Sequence, residues 1–181
     1  NLAEMSRIQV PVPPGFTVTT EACIAYLGEE GGFPADIWEQ QIEALGHIEA
    51  ETGKKFGNPE NPLLVSCRSG AKFSMPGMMD TILNLGLNDE MVNGLAQTSD
   101  GERFAYDSYR RFIQMFGKVV LEIPSEEFET VLDAYKKRVG AASDSEVSAE
   151  GWKEMVAEFK SLVRKETQKE FPQDPYEQLR L

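Results

Sequence analysis

Three amphipathic stretches in the second half constrain this chain more than any other feature. "GERFAYDSYRRFIQMFGKVV" sets Ala105, Tyr109, Phe112, Ile113 and Phe116 on one helical face. "PSEEFETVLDAYKKRVG" does the same with Phe128, Val131, Leu132, Tyr135 and Val139, entered at Pro124-Ser125 and closed by Gly140. A third stripe, Trp152, Met155, Val156, Phe159, Leu162 and Val163, follows a Ser148 cap. Three apolar stripes must bury one another, so residues 88–171 predict a compact helical unit. Asn88 or Asp89 caps its first short helix, and the polar "GAASDSEVSAEG" reads as a loop within it.

The first half is mixed. Leu2, Met5 and Ile8 have helical spacing, three prolines in "VPVPPGFTVTT" break it, and Phe16-Thr17-Val18 reads as a short β-type run. Thr19 or Thr20 caps a helix ending near Gly28, and Trp38, Ile42, Leu45 and Ile48 mark another after Pro34. Leu63 to Cys67 is the best strand, and its apolar start predicts burial on both faces. "TILNLG" then predicts a short helix ending at Gly86. The expected fold class is α+β, mostly helical, with a partial α/β subdomain over 1–87 and, over 88–181, a helical subdomain and the start of a return segment.

Charge narrows the functions. With 18 Lys+Arg against 30 Asp+Glu, the net charge of −12 repels nucleic acid and anionic membranes, so an anionic ligand needs a local basic pocket. No apolar run approaches the about 20 residues that span a bilayer, and no signal-like segment opens the chain, which points to the cytoplasm. Cys23 and Cys67 are expected as reduced, partly buried thiols, and with the single His47 they have no zinc-site spacing. The acidic residues contain no DxDxDG loop, and no metal site is expected.

Chemistry concentrates in "SCRSGAKFSMPGMMDT", residues 66–81. Arg68 offers a planar fork of donors for phosphate oxygens, and Ser69, Gly70, Ser74 and Gly77 supply hydroxyls and exposed backbone N–H groups able to form an anion nest. The stretch is neither GxxxxGK[ST] nor GxGxxG, and the same residues also make an ordinary surface turn. Residue chemistry alone leaves both readings open. Elsewhere, Arg103, Asp107 and Arg111 have salt-bridge spacing on a solvated helix face, and His47 has no catalytic neighbours.

The ordered segments "NLAEM", "VPPGFTVTTEAC", "LLVSCRSGAKFSMPGMMDTILNLGLND", "RFAYDSYRRFIQMFG" and "EFPQDPYEQL" resemble consecutive parts of the pyruvate, phosphate dikinase family. The likeness is to its N-terminal nucleotide-binding domain. The related loop of phosphoenolpyruvate synthase reads like VRSSATAEDLP and lacks the "SMPGMMDT" continuation, so the dikinase likeness is the better one.

That resemblance implies an ATP-grasp-like domain with an inserted helical subdomain, and makes the part over 1–87 a partial nucleotide-binding subdomain. It implies that ATP and phosphate yield AMP and pyrophosphate while a histidine on a swivelling domain is phosphorylated. The histidine then serves pyruvate at a separate barrel, with Mg2+ and ATP as cofactors and a homodimeric parent. Arg68 matches the arginine that contacts the ATP phosphates and is the expected catalytic residue. Ser69, Gly70, Ser74, Gly77, Asp80 and Thr81 match the nucleotide-site stretch, whereas Lys72 falls at a variable position and Cys67 stands where an aliphatic residue is expected. The family's GGKG lysine, its distal metal and ATP ligands and its phosphohistidine are not among these residues, so the chain is expected to be a fragment that binds ATP weakly and catalyses nothing alone. A phosphoenolpyruvate synthase-like enzyme and a non-catalytic helical interaction module are the rival readings.

Overall fold

In a computed structural model, residues 2–28, 35–70, 80–98 and 101–181 are described. The chain divides into two compact units, Asn1–Lys55 and Phe56–Leu181. In the first, α1 (Leu2–Arg7), α2 (Thr20–Gly28) and α3 (Ala35–Thr52) are the helices. Thr19 caps α2, its Oγ1 accepting from Ala22 N–H at 3.4 Å, and Leu45 and Ile48 are buried on α3 as their spacing predicts. Phe16 to Val18 is not a strand; it follows three prolines and takes no ladder partner among the described residues.

The second unit is built around α5 (Glu102–Val119), which packs against α4 (Met91–Thr98), α6 (Ser125–Val139) and α7 (Ala149–Thr167). Its predicted stripe, Ala105, Tyr109, Phe112, Ile113 and Phe116, is fully buried. Phe171 enters this layer edge-on, its ring 5.7 Å from Phe112 and 5.6 Å from Phe116. Each such aromatic contributes on the order of 2–3 kcal/mol by burial. The caps agree with the sequence: Asn88 Oδ1 accepts from Met91 N–H at 2.7 Å, Ser148 Oγ accepts from Gly151 N–H at 3.1 Å, and Gly140 closes α6 at φ 73°. Val139 departs from its stripe, being half exposed at the last residue of α6.

The segment expected to be a short helix before Gly86 is instead a strand. β1 (Val65–Arg68) and β2 (Thr81–Leu85) pair antiparallel, with Val65 opposite Leu85, Cys67 opposite Ile82 and Arg68 opposite Thr81. One residue of β1 thus faces two of β2, and Asn84 takes φ 61° at the irregularity, a β-bulge. The bulge has a clear purpose. Ile82 and Leu85 are three apart and would point to opposite faces of a regular strand, yet both are buried, at 6% and 2% exposure. An extra residue re-phases the strand so that both reach the core.

The return segment holds the base of β2. In α8 (Pro175–Arg180), entered by an Asp174 cap with proline at the first turn, Gln178 is 2% exposed. Its Oε1 accepts from Gly86 N–H at 3.0 Å, and its Nε2 donates to the Leu87 and Pro172 carbonyls, each at 2.9 Å. Next to it, Asn88 Nδ2 donates to the Gln173 carbonyl at 2.7 Å, and Gln173 Oε1 accepts from Asp89 N–H at 3.0 Å.

A hairpin end as the candidate phosphate site

The β1–β2 ladder brings part of the predicted site together from both sides. Arg68 ends β1 directly across from Thr81, which begins β2. Ser69 extends the pairing, its N–H and Oγ–H both donating to the Asp80 carbonyl, at 3.1 and 3.2 Å. Arg68, Ser69, Gly70 and Asp80 are exposed and Thr81 is half-buried, so this end of the hairpin faces solvent, with both Ser69 donors engaged on Asp80. Ser74, Gly77 and Lys72 lie outside the described residues.

The Arg68 side chain, exposed, makes no hydrogen bond or ion pair to any described residue. Asp80 places a carboxylate on the same hairpin end, and Lys118 near the end of α5 approaches it at 3.9 Å. Two cations and one carboxylate leave a local excess of one positive charge on a chain of net charge −12. Lys118 escaped the sequence reading because a lysine in the last turn of a helix has an ordinary role there, favourable to the helix dipole. Nothing in its local pattern tells which strand it will meet.

Among the described residues no three His, Cys, Asp or Glu side chains converge as a metal site. Asp80 alone, already beside Lys118, is a poor set of ligands for Mg2+, which demands octahedral oxygen coordination. These residues do not build a magnesium site.

Three expectations are corrected. Cys67 and Cys23 are exposed, not partly buried. The reason for Cys67 is that α5 covers β2 and leaves the outer part of β1 open. Burial on both faces at the start of that strand holds only in part: Leu63 is buried and Leu64 and Val65 pack half-buried against the core, but Ser66 to Arg68 are exposed. Arg103 does not pair with Asp107; its Nε donates to the Val147 carbonyl at 2.9 Å and its Nη2 to the Asp144 carbonyl at 2.6 Å. Asp107 does bond Arg111, at 3.1 Å, as the spacing predicts.

The charged residue that the sequence reading missed is Arg110, only 4% exposed. It stacks on the Trp152 ring at 4.4 Å and pairs with Asp107 and Asp144. Burial pushes the Asp144 carboxyl up, but Lys136 and Arg110 outweigh it and hold it below the ordinary carboxylate range. Buried Tyr109 shows the opposite case, its hydroxyl raised by desolvation while it donates to Asp89 at 3.0 Å. No sequence signal separates Arg110 from the adjacent, exposed Arg111.

No protein-family model matches the chain. Curated relatives do, end to end. It is 52% identical over all 181 residues to pyruvate, phosphate dikinase 2 of Oryza sativa subsp. japonica, and 51% identical over 180 residues to pyruvate, phosphate dikinase of Clostridium symbiosum. The enzyme of that name from Rhizobium meliloti (strain 1021) is 48% identical over 179 residues. The chain spans about a fifth of the length of these relatives, 20%, 21% and 20% respectively. By sequence, then, this chain belongs with the pyruvate, phosphate dikinases, as the counterpart of one segment of them.

Proposed function

We propose that the chain is part of the ATP-binding domain of a pyruvate, phosphate dikinase, and that Arg68 contacts the nucleotide's phosphates. The observation that carries this reading is an exposed arginine without a described protein partner, at a hairpin end shared with Ser69 and Thr81, in a chain aligned end to end with dikinases. In phosphoryl transfer the protein's main task is to position the phosphates and offset the charge that gathers on them. A guanidinium fixed at the end of a paired strand is suited to that, and the N–H groups of the loop that follows would hold further oxygens.

In this reading residues 1–87 form part of an ATP-grasp-like nucleotide domain and 88–181 its helical subdomain. The parent converts ATP, phosphate and pyruvate to AMP, pyrophosphate and phosphoenolpyruvate through its phosphohistidine domain. It works as a homodimer with Mg2+ held by groups outside the described residues. Cytoplasm is its proposed compartment, although the Arabidopsis thaliana relative, 51% identical, is called chloroplastic by name. No helix of the described residues is long and apolar enough to cross a membrane.

The test is Arg68→Ala in the whole parent. The ATP/phosphate partial reaction should fall by about a hundredfold or more, while phosphoenolpyruvate–pyruvate exchange at the distant site is kept. Equal loss of both activities would mean that Arg68 is structural.

A further inference from the structure

We propose that Gln178 is a positioning residue for Arg68: its buried amide locks the 84–87 turn and thereby the strand register that presents the guanidinium. This rests on the reading of Arg68 as a phosphate contact. The bulge sets the pairing of Arg68. Because two residues of β2 stand opposite Ser66, Arg68 pairs with Thr81. Without the extra residue it would pair with Ile82, whose side chain is buried in the core. Residues directly opposite in an antiparallel pair share a face, so a slip of one would move Arg68 to the face that Cys67 now occupies and away from Thr81.

The bulge is therefore part of the site, and something must keep it in place. Asn84 and Gly86 both take left-handed backbone, φ 61° and 104°, and Leu87 N–H closes the turn on the Asn84 carbonyl at 3.2 Å. A non-glycine residue at positive φ is costly by itself and persists only where surrounding contacts fix it. Gln178 supplies such contacts from 92 residues away: one acceptor for Gly86 N–H and one donor for the Leu87 carbonyl, with its second N–H tied to Pro172. All three bonds are made by an almost fully buried side chain, so no water can replace them if the amide is lost. Gln173 Oε1 accepts from Asp89 N–H at 3.0 Å, farther along the same connection.

The experiment is a double-mutant cycle in the whole dikinase. Gln178→Met keeps length and removes all three hydrogen bonds. It should raise KM for ATP in the ATP/phosphate partial reaction by about tenfold, with kcat recovered at high ATP and phosphoenolpyruvate–pyruvate exchange unchanged. In the Arg68→Ala background the same substitution should lower the residual kcat/KM by less than about twofold, since its target is already gone. A full, additive loss in that background, or a fall in kcat without a change in KM, would make Gln178 merely structural and overturn the inference. Should Gln178→Met fail to fold, Gln173→Ala decides. It should raise KM for ATP in the native background and not in Arg68→Ala; no rise, or a rise in both, overturns the proposal. If Arg68→Ala alone leaves the ATP reaction intact, the phosphate reading itself falls and this inference with it, an outcome distinct from additivity.

Discussion

Asn84 carries a strand bend on one residue. At φ 61° an asparagine pays less than most residues, because its short amide suits left-handed backbone. Asn84→Gly should leave stability unchanged or slightly raised, whereas Asn84→Val, branched at Cβ, should lower it by about 1–2 kcal/mol in urea unfolding. Equal stabilities would mean that the bulge moves at no cost. This residue also explains why the stretch reads as a helix in the sequence. Ile82 and Leu85 at a spacing of three, followed by Gly86, match a short helix and its stop as well as they match a bulged strand. Arg68 and Ser69 were legible as candidates from their chemistry, but not their alignment with Asp80 and Thr81. Ser69 meets Asp80 across 11 residues of chain, a distance that no local pattern reads.

At the scale of elements, the long helices are the part the sequence displays best. Stripes on α5, α6 and α7 name their own buried faces because the helical period is local. The connection between α6 and α7 is different. Its 3₁₀ turn, Asp144–Glu146, is fastened to α5 by Arg103 and Arg110 and to α6 by Lys136. Only the fold brings Arg110 and Lys136 to the one Asp144 carboxylate and Arg103 to its backbone carbonyl. Since Asp144 titrates below its ordinary 3.8 in the folded chain, its ion pairs stabilise the fold above that value and lose their effect as pH falls through the lowered one. Asp144→Asn should therefore melt a few degrees below the native protein at pH 7, and the gap should close below about pH 3.8. A gap that persists in acid would assign the effect to packing of the side chain rather than to its charge.

For the whole molecule, the principal core runs from Ile82 to Phe171 and lies entirely in the unit Phe56–Leu181. That unit encloses Phe112, Phe116, Phe128, Phe159 and Trp152 at full burial, enough apolar surface for a stable domain of its size. Residues 56–181 expressed alone should give helical circular dichroism and a single cooperative thermal transition. A broad, non-cooperative melt would show that they depend on residues 1–55. The sequence by itself determined the long helices and their caps, because each follows from neighbours within a turn or two, and it singled out the loop residues as candidates for a phosphate. Tertiary structure decided that β2 is a bulged strand, that Arg110 is buried while Arg111 is exposed, and that Gln178 holds the base of the hairpin. Those outcomes depend on contacts between residues 13 to 92 positions apart, whose burial and pairing energies exceed any local preference.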